Sequence, residues 1–309
     1  MHSSEKKTGR SAAPFLWVLV FLLIFAIVNE YLTLALNDDI DMRINISRAS
    51  SETCEDVILG TSQARLGIDP DTVSETTGRS TANLSIPYSN AMDQYFMIRQ
   101  MVESGHRPER IVYEADPTYF ERSKGGIHYY AFPMGKVRME YWLACAKDNW
   151  RSALSPWIQQ SDLLPQSPDI FKRKIAYFRG DYDHSFNGFT PSNADLNDKN
   201  KEDREFQVNS KSDGWLKKLI TYCRNENIDL VILLMPLGTK VYEQEQKTFY
   251  REASAYLAEV CEEYDITFWN FNEVPATQYD ISGFIDSDGH MKEQTAESFS
   301  RVLGEYLSD

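Results

Sequence analysis

A hydroxyl, an imidazole and a carboxylate are the parts of a nucleophilic site, and this chain offers them in two short stretches. Gly60-Thr61-Ser62 comes early, and Asp286-Ser287-Asp288-Gly289-His290 comes late. A serine hydroxyl is a weak nucleophile until a base accepts its proton, and that base works best when a carboxylate holds it. Ser62 follows the apolar run Val57-Ile58-Leu59 and opens a helix or turn, so its own N–H can face a developing oxyanion. Asp286 and Asp288 both stand close enough to His290 to serve as the acid. Each signal alone has a bland reading: a serine before a helix is commonly an N-cap, and a histidine beside two aspartates is commonly solvated. Both segments fall on the same sheet edge, and that favours chemistry. The other histidines are weaker candidates. His2 precedes the apolar segment, His106 follows Gly105 in a helix-to-strand turn, and His128 and His184 lie in a long irregular stretch.

Other chemistries fit poorly. No Gly-Lys-Ser/Thr follows Gly60, and no G-x-G-x-x-G occurs, so neither a P-loop nor a dinucleotide fingerprint is present. Ala64 stands where a G-x-S-x-G nucleophile elbow needs glycine, and that elbow comes after several strands rather than the first. The acidic run before His290 has Met291 where a calcium loop needs its glycine. Cys54, Cys145, Cys223 and Cys261 are widely spaced, with no C-x-x-C pair; they read as buried small hydrophobes, one disulfide being the alternative. No metal and no cofactor is expected. A formal net charge of −14, with no large Lys/Arg cluster beyond the N-terminus, excludes nucleic acid as a partner.

The elements that must position these residues alternate strand and helix. Short apolar runs at Val57–Leu59, Asn83–Ile86, Arg110–Ala115, Leu230–Met235 and Ile266–Phe271 predict five strands. Helices are predicted from an Asn90 cap to about Glu103, over Trp215–Arg224, over Phe249–Tyr264 and over Glu293–Leu307. Strands apolar on both faces, separated by helices, predict an α/β fold: a three-layer, doubly wound parallel sheet. Its site lies at the strand C-terminal ends, where Ser62, Asn83 and Asp116 all fall.

Residues 119–213 break the rhythm. They are rich in aromatics (Tyr129, Tyr130, Phe132, Tyr141, Trp142, Trp150, Trp157) and read as a helical insertion over the active-site face, its polar part from Asn193 to Asp213 a mobile loop. A structural cap without a substrate role is the equal alternative. At the other end, Ser11–Val28 is uncharged and apolar all round, and apolar character resumes at YLTLAL. About 20 such residues span a bilayer. Lys6, Lys7 and Arg10 precede the run and Asp38, Asp39 and Asp41 follow it, which keeps the N-terminus cytoplasmic. No convincing cleavage site follows, so an uncleaved anchor is expected over a signal peptide. The expected organisation is a cytoplasmic tail at 1–10, an anchor at 11–36, a linker at 37–53 and an ectodomain at 54–309.

Four blocks carry a resemblance to a known family. ILGTSQARLGIDP resembles the first block of the SGNH/GDSL hydrolase superfamily. ANLSIPYSN and PERIVYEADPTYF resemble the second block and third strand of its membrane-anchored, DltD-like branch, and FIDSDGHMKEQTAESFS resembles the last block. The resemblance implies an SGNH/flavodoxin-like fold, Ser62 as nucleophile and His290 as base. The family places its acid three residues before the histidine, where Ser287 stands; Asp286, directly after Phe284-Ile285, is preferred and Asp288 is the alternative. Asn83 in the second block, Gln63 beside the nucleophile and Asp116 in the third block become the oxyanion and substrate candidates. Asp116 replaces the family's asparagine and, ionised, cannot donate a hydrogen bond. The implied activity is serine-dependent acyl transfer or ester hydrolysis on a cell-envelope polymer such as teichoic acid or polysaccharide, beside a membrane-bound O-acyltransferase. The competing expectation is a non-catalytic scaffold or binding protein of the same fold.

Overall fold

The structure is a computed structural model and describes residues 13–36, 40–121, 128–157, 167–181, 187–194 and 202–308. The tail at 1–10 with His2, the flanking Asp38 and Asp39, His184, and residues 195–201 of the polar stretch lie outside the described residues. The chain divides into two compact units, one made of Met1–Asp38 with Cys145–Asp181, the other of Asp39–Ala144 with Tyr182–Asp309.

The larger unit is built on five parallel strands: β1 (Asp56–Leu59), β2 (Thr81–Asn83), β3 (Arg110–Glu114), β4 (Asp229–Leu234) and β5 (Thr267–Asn270). Their order in the sheet is β2-β1-β3-β4-β5, the order of a doubly wound flavodoxin-like domain. Alternation along the strands sends Ile58, Val112 and Leu233 into one core, where they pack with Phe271, Phe299 and Leu303. That face carries α3 (Ser62–Gly67), α4 (Pro70–Thr77) and α10 (Glu293–Ser308). The other face is covered by α5 (Ala91–Glu103), α8 (Ser210–Asn225) and α9 (Lys247–Glu263). Asn90 caps α5 as expected: its side chain accepts from Met92 and Asp93 N–H, and the Asp93 carboxylate returns a bond to Asn90 N–H.

Three sequence expectations change. The second strand ends at Asn83, because its pairing with β1 stops at the Ile58–Asn83 partners, and Leu84–Ile86 continues as a buried loop. The expected linker at 37–53 carries α2 (Ile40–Ala49), which buries Ile40, Ile44, Asn45 and Ile46 and packs on α5. The expected insertion is divided between the units. Tyr129, Tyr130, Phe132 and Tyr141 are buried in the larger unit, with Tyr141 stacked 4.4 Å from Phe96, so they are core rather than a surface offered to substrate. Its later part joins the smaller unit.

That smaller unit holds α1 (Ala13–Leu36) and α7 (Ser167–Arg179), which pack on each other. Within α1, Pro14–Leu36 is long and apolar enough to cross a membrane, with a mean hydropathy of 2.3. α6 (Lys136–Leu154) runs through the boundary between the units and loses helical backbone angles at Asn149.

Candidate active site

Three backbone groups pin the turn that presents Ser62. Thr61 caps α3 by accepting from Gln63 N–H at 3.2 Å, which leaves Ser62 as the first helical residue. An N–H in that first turn has no carbonyl to meet within the helix. The Gly60 carbonyl accepts from Ile86 N–H at 3.0 Å, Ser89 Oγ at 2.9 Å and Gln94 Nε2 at 2.8 Å. The Thr61 N–H donates to Glu114 Oε2 at 2.6 Å. Glycine is required at position 60 by close approach: a Cβ there would lie 2.6 Å from Glu114 Oε2 and 2.7 Å from Glu114 Cβ.

The late loop folds back on itself. Ile285 N–H donates to the His290 carbonyl at 2.7 Å, and Lys292 N–H to Gly283 at 2.9 Å. The turn passes through Gly289 at φ +86°, a left-handed conformation that glycine adopts without a Cβ penalty. This geometry answers the spacing problem. The extra residue between acid and histidine is taken up in the tight turn, so Asp286 reaches His290 at four residues' separation.

The resulting chain of contacts runs from Ser62 to Asp286. Ser62 Oγ lies 2.8 Å from His290 Nε2, and His290 Nδ1 lies 2.6 Å from Asp286 Oδ2. A carboxylate facing Nδ1 favours the tautomer with its proton there, leaving Nε2 to accept the serine hydroxyl. Asp286 Oδ1 also accepts from the N–H groups of Asp288 at 2.9 Å and His290 at 3.3 Å, which fixes its orientation. Asp288 joins this arrangement through that N–H rather than as the acid facing His290. It lies at the rim of the cleft, and its carbonyl accepts from Gln63 Nε2 at 2.8 Å.

Two expected substrate contacts are structural. Gln63 is buried, and its amide braces the serine helix against the histidine loop. Asn83 is fully buried and donates both amide hydrogens to α3 and its C-cap, at 3.0 Å to the Ala64 carbonyl and 2.8 Å to Ile68, so no side-chain N–H remains for an oxyanion. Its Oδ1 accepts from Ser85 N–H. Replacing it by leucine orphans the Ile68 carbonyl and the Ser85 N–H, while the Ala64 carbonyl keeps its bond from Ile68 N–H. Asn83→Leu is expected to lower stability by about 3 kcal/mol in denaturant unfolding while kcat of the folded fraction changes little. An oxyanion donor would show the reverse pattern.

A cleft of about 550 Å³ opens on this rim. Ser62, His290, Asp288 and Asp116 line it, with Tyr88, Thr118, Tyr119, Glu121, Glu202, Arg204 and Gln246. Asp116, expected at the site, is there, its carboxylate accepting from Thr118 N–H at 2.9 Å and Thr118 Oγ1 at 2.8 Å. Arg204 is paired with Glu121 at 2.5 and 2.6 Å and lies 4.3 Å from the Phe249 ring centre. Tyr88 is 71% exposed and holds φ +61°, an uncommon backbone for a bulky residue. Sequence reasoning passed over Tyr88, although it lies in the ANLSIPYSN block, and Glu121, Arg204 and Gln246, which no motif marks. Among the described residues no three His, Cys, Asp or Glu side chains gather as a metal site.

Glu114 was missed as well. It stands at the end of β3 under the serine turn, buried, and Oε1 has no partner among the described residues. Burial, and then the nearby Asp116 charge, push its carboxyl up to about 8, against the pull of the Thr61 hydrogen bonds. The folded protein therefore keeps a proton that the unfolded chain releases above about 4.5. Glu114's contribution to stability is full below that pH and is lost as pH rises towards 8. Glu114→Gln removes the titration, so the variant is expected to exceed the parent by roughly 2–4 kcal/mol at pH 8.5 and to match it at pH 4. Urea unfolding at the two pH values reads the difference.

The remaining histidines lie outside this arrangement. His106 Nδ1 sits 2.8 Å from Thr53 Oγ1 on the surface. His128 is held neutral by burial, its imidazole pushed down to about 4. All four cysteines are free thiols.

Fold and site together define a doubly wound α/β domain with a serine–histidine–aspartate chain at the C-terminal rim of its sheet. Neither a family model nor a curated protein matches this chain. Solved structures that it resembles include a G-D-S-L family protein from Desulfitobacterium hafniense, at 12% identity and a TM-score of 0.39, covering 82% of this chain and 98% of that one. Another is a lipase/acylhydrolase from Enterococcus faecalis, at 10% identity and a TM-score of 0.42, covering 82% and 95%. At such values the likeness carries no weight on activity, and the functional reading rests on the site's own geometry.

Proposed function

We propose that this chain is a membrane-anchored serine acyl-transfer enzyme of the SGNH type, working on the outer side of the membrane on an acyl ester of a cell-envelope polymer. The observation that carries it is the unbroken Ser62–His290–Asp286 hydrogen-bond chain opening into a cleft. In this reading Ser62 Oγ attacks the ester carbonyl carbon as its proton passes to His290 Nε2. Asp286 stabilises the imidazolium, and the Ser62 N–H faces the oxyanion. His290 then protonates the departing alcohol, leaving an acyl-Ser62 ester. A sugar or polyol hydroxyl, or water, attacks that ester and completes transfer or hydrolysis.

The carboxylates of Asp116, Glu121, Glu202 and Asp288 around the cleft disfavour an acyl group bearing a free acid. Tyr88 and Tyr119, rather than the buried insertion aromatics, are the rings placed to stack on a sugar. The apolar Pro14–Leu36 helix supports the anchor. The cytoplasmic N-terminus and a membrane-bound O-acyltransferase partner come from the charge pattern and from the sequence resemblance. The test is turnover of an acetyl ester by the purified full chain with and without a polyol acceptor. Acyl transfer to the polyol, or faster ester consumption in its presence, supports the reading; no consumption under either condition contradicts it.

A second reading has its own observation. Asn83 has no side-chain hydrogen left to donate and Asp116 is an acceptor, so neither residue expected at the oxyanion offers a side-chain donor beside the Ser62 N–H. This favours a non-catalytic scaffold that holds a polymer or partner. It predicts that Ser62→Ala leaves envelope modification intact in cells.

A further inference from the structure

The smaller unit carries apolar surface beyond the apolar helix itself. Trp150 is 59% exposed and Phe178 is 59% exposed, with Leu154 and Ile175 also exposed. Ile175 and Phe178 share one stripe of α7, and Trp150 and Leu154 follow the break in α6. Large exposed apolar side chains grouped in one compact unit mark an interaction surface.

What covers this surface is indicated by what it is tied to. Lys174 is buried and donates to the Leu34 carbonyl in the last turn of α1. Trp157 Nε1 donates to Asn29 Oδ1 at 3.0 Å. Both anchor points lie in the final third of the Pro14–Leu36 span. A helix of 23 residues is about 34 Å long against a hydrocarbon core of about 30 Å, which places Leu34–Leu36 near one bilayer face and Asn29 in the half of the core on that side. The last carbonyls of such a helix need donors, and Lys174 supplies one. The tie holds α7 at that depth, and with it the neighbouring Ile175 and Phe178.

Charge agrees. The chain as a whole is at −14, yet residues 145–181 hold six basic and four acidic residues. Lys147, Arg151, Lys172 and Arg179 are exposed on the same two helices as the apolar side chains, and the Arg151 guanidinium lies 5.4 Å from the Trp150 ring centre. Exposed aromatic and aliphatic side chains interleaved with Lys and Arg are the composition of an element lying in a lipid interface, the cations reaching headgroups while the rings sit below them.

We propose that α7 and the Trp150–Leu154 segment form an interfacial collar, burying Trp150, Leu154, Ile175 and Phe178 among lipids at the bilayer face where α1 ends. The proposal rests on α1 crossing the membrane.

The test is spin-label accessibility of the full chain in vesicles of phosphatidylcholine with phosphatidylglycerol, in a Cys54→Ser background. Single labels go on F178C, I175C and W150C, with F21C in the span and E259C on exposed α9 as references. The collar predicts that oxygen relaxes the Phe178, Ile175 and Trp150 labels more than a soluble nickel chelate does, as at Phe21 and opposite to Glu259. Nickel-dominated relaxation at these three positions with oxygen-dominated relaxation at Phe21 overturns the collar and leaves the anchor. Labels shielded from both reagents indicate a protein partner in place of lipid and overturn it too. Nickel-dominated relaxation at Phe21 removes the anchor and the collar with it.

Discussion

Ser62→Ala is expected to lower kcat/KM for an acyl ester by roughly 10⁴–10⁶. The magnitude follows from what the hydroxyl does. It forms the bond that divides acyl transfer into two easier steps, and alanine leaves only binding and the Ser62 N–H. The turn itself should survive, because it is held by the Thr61 cap, the Glu114 bond to Thr61 N–H and three donors on the Gly60 carbonyl, none of which uses the serine side chain. Equal unfolding midpoints for parent and variant would establish that the loss is chemical. A variant that keeps full turnover would move the account to the scaffold reading.

The second large effect separates the two aspartates. Asp286→Asn keeps the size of the side chain but cannot hold His290 in the tautomer that accepts the serine proton, nor stabilise the imidazolium. It is expected to cost about 10³–10⁴ in kcat with KM little changed. Asp288→Asn should stay within about fivefold, because Asp288 meets the site through its backbone N–H and carbonyl, which the substitution leaves in place. Steady-state kinetics of both variants on one ester decide the matter. A large loss in Asp288→Asn with a small one in Asp286→Asn would reverse the assignment.

Much of the fold was legible because its physics is local. Val57–Leu59 and Leu230–Leu234 are apolar on both faces, which only a sheet covered on each side accommodates. Asn90 and Asp93 stand at capping-box spacing. What the sequence hid was short or polar: α3 and α4 have too few turns for a hydrophobic period to declare itself, and α2 sits in a stretch whose length and charges resemble a linker.

The site divides along the same line. Ser62 and His290 were legible from residue type and from their place after strands. Asp286 over Asp288 turned on a left-handed Gly289 that spacing alone does not reveal. Asn83 was misread because the direction of a buried amide is set by the carbonyls of α3, not by its own position in the chain. Glu121, Glu202, Arg204 and Gln246 reach the cleft from segments remote in sequence, where nothing local distinguishes them from solvated surface. The aromatics of the insertion drew attention by composition, yet burial around Tyr141 explains them.

Mass spectrometry of the full chain after exposure to a fluorophosphonate bears most directly on whether Ser62 is an activated nucleophile. The account predicts a single adduct, mapped to the peptide containing Ser62, absent from Ser62→Ala and formed far more slowly in His290→Ala. An unmodified parent protein, or an adduct of equal yield in Ser62→Ala, would contradict it.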